Sequence, residues 1–102
     1  MANIDVDMFL DNSGELDFKP KPVVVKPGDT VRWKSDIGDL IVVFPKDQNP
    51  FTVHKQFGSA KGNISDAAVV RSDLPKGKSF ECTVTLGGKE FTHASGVDSS
   101  GS

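Results

Sequence analysis

Phe80-Glu81-Cys82-Thr83-Val84-Thr85-Leu86-Gly87-Gly88-Lys89-Glu90-Phe91-Thr92-His93 is the stretch on which the fold turns. Phe80, Cys82, Val84 and Leu86 alternate with Glu81, Thr83 and Thr85, the period-two pattern of a strand with one buried face. Gly87-Gly88 is a two-residue hairpin signal, because both central positions of such a turn need positive φ. With those two glycines as the loop, Leu86 opposes Lys89, Val84 opposes Phe91 and Cys82 opposes His93. Opposed residues share a face, so the spacing predicts Cys82 and His93 as neighbours.

Upstream the same alternation recurs in short pieces. Ile4, Val6, Met8 and Leu10 alternate with Asp5, Asp7 and Phe9, then Asn12-Ser13-Gly14 turns the chain. Leu16 and Phe18 resume the pattern. Pro20 and Pro22 deny two ladder donors, which predicts an edge or a crossing between sheets. Val23-Val24-Val25 is a strand, Pro27-Gly28-Asp29 a tight turn, and Val31 with Trp33 the next strand. Leu40 to Phe44 is an unbroken apolar run, expected to be buried on both faces. Ala67 to Val70 reads as one more short strand, and Leu74-Pro75-Lys76-Gly77 as a turn. Between these, residues 45–65 show no sustained alternation. Phe51, His54 and Phe57 sit at spacing three, which suits one helical turn and a cap or partner-binding lid over the end of the sandwich.

Seven or eight short strands and no long amphipathic helix predict an all-β fold, a two-sheet Greek-key β-sandwich. The chain has 102 residues, one domain's worth, with 36% hydrophobic and 25% charged residues. The expected domain is 1–95, with a linker-like flexible tail over 96–102 rich in Ser and Gly. Twelve basic and fourteen acidic residues leave a formal charge of −2, a poor balance for wrapping phosphate backbones. Lys76, Lys78 and Lys89 near two turns do not change this. No stretch reaches the ~20 apolar residues of a membrane span, and the N-terminus lacks the basic and apolar regions of a signal peptide. A monomer with an unidentified protein or small-molecule partner is expected, with no nucleic acid and no membrane. A periplasmic or extracellular location stays open for a trimmed mature form. The single cysteine, Cys82, excludes an intrachain disulfide. Asn63-Ile64-Ser65 matches a glycosylation triplet that arises often by chance.

The order of these signals resembles a known family. Phe18-Lys19-Pro20 followed by Val23-Val24-Val25-Lys26-Pro27-Gly28-Asp29-Thr30-Val31-Arg32-Trp33-Lys34 is similar to the N-terminal half of cupredoxins, the blue copper proteins. The likeness continues through Leu40-Ile41-Val42-Val43-Phe44 and Lys76-Gly77-Lys78-Ser79-Phe80-Glu81-Cys82, and so covers roughly Ile4 to Ala94. It implies a β-sandwich and, in copper-loaded members, a site of two His, one Cys and a weak axial Met. The position of the first His corresponds to Leu40, or to Asp39 with a one-residue shift. Cys82 is followed by no His until His93, and the only methionines are Met1 and Met8. The resemblance therefore implies a member lacking the type-1 ligands, with no cofactor.

Three functions follow as expectations. The first is a copper-free binding or structural module. The second is an electron-transfer copper protein with divergent ligands. The third is a metal chaperone or sensor using Cys82, His93 and His54. A Cys82 nucleophile activated by His93 would need an exposed thiol, and a mid-strand Cys beside Phe80 and Val84 argues against it, so no enzyme and no catalytic residue is expected. Asp5, Asp7, Asp11, Asp36 and Asp39 could supply hard-cation oxygens, but solvated strand faces and loops carry such acids routinely.

Overall fold

The computed structural model describes residues 2–100, and the side chains of all of these except 93–95. It holds nine strands: β1 (Asn3–Leu10), β2 (Leu16–Lys19), β3 (Val24–Val25), β4 (Thr30–Lys34), β5 (Leu40–Val43), β6 (Phe57–Ser59), β7 (Ala68–Val69), β8 (Ser79–Leu86) and β9 (Lys89–Ser99). One sheet runs β2-β1-β4-β7 and the other β3-β9-β8-β5-β6. Both sheets are mixed, because β1 pairs parallel to β4 and β3 parallel to β9. The inward rows Val6 and Met8, Val31 and Trp33, Leu40 and Val42, and Phe80, Cys82, Val84 and Leu86 form one core cluster. The chain is thus an all-β sandwich, with period-two strands burying one face each.

The β8–β9 hairpin follows its expected register from the turn outward. Leu86 opposes Lys89 and Val84 opposes Phe91, and Gly87 and Gly88 both take positive φ. Beyond Thr83↔Thr92 the register slips, and Cys82 lies opposite Ser95, not His93. Two extra residues enter β9 at this bulge. A slip of two preserves the facing of the strand, so Val97 points into the core as Phe91 does. No regular alternation signals such a bulge, which is why the simple hairpin register overshoots.

Residues 96–99, expected as the start of a tail, are the far half of β9. Val97 is buried, and Ser99 Oγ accepts a hydrogen bond from Lys78 N at 2.8 Å. Serine and glycine composition suggests a linker only where no partner strand captures the backbone. Pro20 and Pro22 do mark a crossing: β2 edges one sheet and β3 edges the other. The run Leu40–Phe44 is buried on one face only, since Ile41 is 40% exposed on the outer surface. An apolar run cannot by itself separate these cases. The sixth strand, Phe57–Ser59, has one buried residue beside a glycine, too short for a pattern to show.

The parallel β1–β4 pairing needs its start anchored, because no tight turn links parallel strands. Asp29 supplies the anchor. Its buried carboxylate accepts from Ala2 N and Lys26 N, both at 2.9 Å. Its own carbonyl accepts from Val70 N at 2.8 Å, which brings in the segment at β7. Asp29→Ala should cost about 2–4 kcal/mol in urea unfolding, because two backbone donors lose their acceptor. Gly96→Ala should cost more than Gly14→Ala. A Cβ on Gly96 would lie 2.0 Å from Phe80 O, whereas at Gly14, with φ of +82°, it meets nothing. The Gly14 change is then limited to the backbone cost of about 1–2 kcal/mol.

Candidate functional site

The β4–β5 loop, with the sequence-predicted positions 39 and 40, meets the β8–β9 turn at one end of the sandwich. Leu40 opposes Leu86 there, and both are buried. Gly87 N donates to Asp39 O at 2.9 Å. Gly38 is seated against Gly87 so closely that a Cβ on it would meet Gly87 Cα at 2.9 Å. Backbone thus fills the space between the two loops, and the side chains beneath are leucines. The Asp39 carboxylate is turned to Lys61 N, 2.9 Å away.

Cys82 sits four residues down β8 from Leu86, roughly 13 Å along the strand at 3.3 Å per residue. It cannot share an ion with position 39 or 40. Its side chain is buried in the core cluster with Phe80 and Val84, the usual setting of a small inert hydrophobe. Beside it lies a groove of about 360 Å³ that also touches Pro45, Gln48, Glu81 and Thr83. His93 is displaced from the Cys82 pair by the bulge, and its side chain lies outside the described residues. His54 is exposed, with Nε2 3.0 Å from Phe44 O. A ring nitrogen facing a carbonyl must be the N–H, so this nitrogen has no lone pair to offer a metal. Among the described residues no three His, Cys, Asp or Glu side chains group to hold a metal ion. These positions do not fit a type-1 copper centre.

Phe51, His54 and Phe57 do not form a helical turn. The one helical piece of the excursion is a 3₁₀ turn at Lys46–Gln48. Phe51 bridges to Val70 and Phe57 opens β6, so the segment clothes the side of the sandwich between β7 and β6. Both rings are buried around Trp33, at centroid distances of 5.6 and 5.3 Å, and Phe44 closes the group at 6.2 Å. Spacing three was matched by coincidence in extended chain. The aromatic pair is core, not a binding lid.

The acidic residues are dispersed and mostly partnered. Asp5 takes a two-pronged contact from Arg32, at 3.0 and 3.1 Å. By register Asp7 lies between Lys19 and Lys34. Asp11 closes the β1–β2 turn by accepting from Ser13 Oγ, Ser13 N and Glu15 N. The hydroxyl bond from Ser13, then the backbone donors, hold its carboxyl below the ordinary 3.8. Lys78 and Lys89 stand at opposite ends of the β8–β9 hairpin and form no cluster. Among the described residues no helix is long and apolar enough to cross a membrane. Compared with known proteins, the chain matches no family model and no curated protein sequence.

Phe51→Ala and Phe57→Ala should each lower stability by about 3–5 kcal/mol, as for core aromatics. Exposed Val53→Ala should change it by less than about 0.5 kcal/mol. Urea unfolding separates the two groups, and a lid role for Phe51 would leave stability nearly unchanged. Asp11 has a folded-state pKa below its unfolded one, so its contribution is present above pH 3.8 and fades as pH falls through the lower folded value. Asp11→Asn should therefore flatten the acid limb of the stability curve, read by urea unfolding at a series of acidic pH values.

Proposed function

We propose that the chain is a metal-free, cupredoxin-like β-sandwich that serves as a binding or structural module and not as an enzyme. The reading rests foremost on Gly38 packed against Gly87, which removes the cavity between the two loops where the blue copper ligands would converge. Leucines stand at the level where imidazole would be needed. The strand order, with β1 parallel to β4 and connections that pass between the sheets, supports Greek-key, cupredoxin-like topology. Fold alone assigns no activity, so the conclusion is drawn from the site. An electron-transfer role would need a thiolate and two imidazoles on one ion. A chaperone role would need Cys82, His54 and His93 together, and Cys82 is core while His54 donates to the main chain.

Titration of the apo protein with Cu(II) tests this. The expected result is no intense thiolate-to-copper charge-transfer band, and metal retention unchanged by Cys82→Ala. An intense visible band that Cys82→Ala abolishes would reject the proposal. Iodoacetamide should label native Cys82 slowly, with the rate rising sharply in denaturant, because a buried thiol is not reactive.

A further inference from the structure

We propose that a slot at the other end of the β8–β9 hairpin binds a small organic carboxylate, a monoanion carried on a short apolar body. This deepens the binding-module reading by naming a ligand class. The slot is a cavity of about 200 Å³ between the turns Lys26-Pro27-Gly28 and Pro75-Lys76-Gly77. Val25, Pro27, Leu74 and Pro75 supply apolar lining, and Lys26 and Lys76 stand one on each wall.

Three observations point to an anion of this kind. Among the described residues no carboxylate lines the slot. Among the described residues the ion pairs engage Lys21, Arg32, Lys55 and Arg71, and neither Lys26 nor Lys76. Of the two acids nearest in sequence, Asp29 has both oxygens committed to backbone amides and Asp73 faces Arg71 Nε at 3.5 Å. Among the described residues, neither of the two lysines that line this partly apolar slot has a carboxylate as ion-pair partner.

The walls are held independently of any ligand. The end of β9 is laced to both turns, with Ser100 N donating to Val25 O at 3.0 Å and Gly77 N donating to Ser100 O at 3.2 Å. Ser99 pins Lys78 by side chain and main chain. Walls fixed in advance lower the ordering cost of binding. The volume is below that of ordinary drug-sized sites, which favours a ligand of a few heavy atoms. No arginine lines the slot, so the two-pronged recognition that suits phosphate is missing. Lysine point charges over proline and leucine suit a carboxylate with a short alkyl tail.

Sodium hexanoate added to the ¹⁵N-labelled full chain at constant ionic strength tests the assignment. The expected result is saturable shifts of the Lys26, Gly77 and Ser100 amides, with Kd on the order of 1 mM for so few heavy atoms. The Lys26→Ala/Lys76→Ala double variant should keep its folded spectrum and lose at least tenfold in affinity, and the double Arg variant should retain binding. Non-saturating drift, or equal binding by the double alanine variant, overturns the proposal. Equal binding of hexanol removes the anion requirement, and equal binding of inorganic phosphate removes the apolar one; either result overturns it. The readout involves no metal, so it can fail while the copper titration succeeds, and the reverse.

Discussion

Burial of one indole is the constraint that the rest of the sandwich satisfies. Trp33 lies on β4, in the middle of one sheet, and points at the other. Phe57 from β6, Phe44 at the end of β5 and Phe51 from the excursion surround it, with Phe51 edge-on at 87°. Phe51 also contacts Phe44 and Phe57 at 5.3 and 5.8 Å. Each such pair adds roughly 0.5–1.5 kcal/mol beyond the area it buries. The group joins the two sheets and the segment between them. Trp33's backbone is tied as well, since its N–H donates to the buried Ser65 Oγ and its carbonyl accepts from Ser65 N. Removing the indole would unfasten both sheets and the excursion together.

That demand explains why residues 45–65, without alternation, are ordered at all. The segment leaves β5 at Pro45, delivers Phe51 to the sheet containing β7, and returns Phe57 to the sheet containing β5. Its route covers the side where β7 and β6 are the exposed edges. Edge strands invite pairing with other chains. Here the edges β2, β3, β6 and β7 have four, two, three and two residues. The outer face beside β1 is charge-matched, with Asp5 on Arg32 and Asp7 between lysines. Such exposed pairs contribute little stability each, but they favour the in-register parallel pairing over a slipped one.

What could be read from the sequence was whatever depends on local period. The alternation in β1, β4 and β8, the Gly87-Gly88 turn and the double-proline crossing all appear where the residues place them. What could not be read depends on partners distant in the chain. Ser99 is strand and not tail because Lys78 and Val25 lie beside it. Ile41 is exposed because nothing covers the outer face of β5. Cys82 faces Ser95 because β9 carries two extra residues that no period announces. For the candidate site, the apolar character of position 40, buried opposite Leu86, was legible in the sequence. The closure of the loops by Gly38 on Gly87 was not, since a glycine's close approach to another backbone leaves no mark in one sequence.

The two ends of the hairpin are built for different outcomes. At Gly87 the backbones meet, the leucines below are buried, and a ligand could enter only by separating the turn from the β4–β5 loop. At Gly77 the chain also turns on a positive-φ glycine, but Pro27 and Pro75 line a slot there and strand β9 ends between the turns. The difference lies in what flanks each glycine. A two-residue glycine loop lets strands close to contact. A proline-bounded turn has a fixed φ and no N–H to donate across to the opposing wall. The end where the β4–β5 loop meets the hairpin turn is therefore the sealed one, and the slot lined by Lys26 and Lys76 lies at the end that stays open.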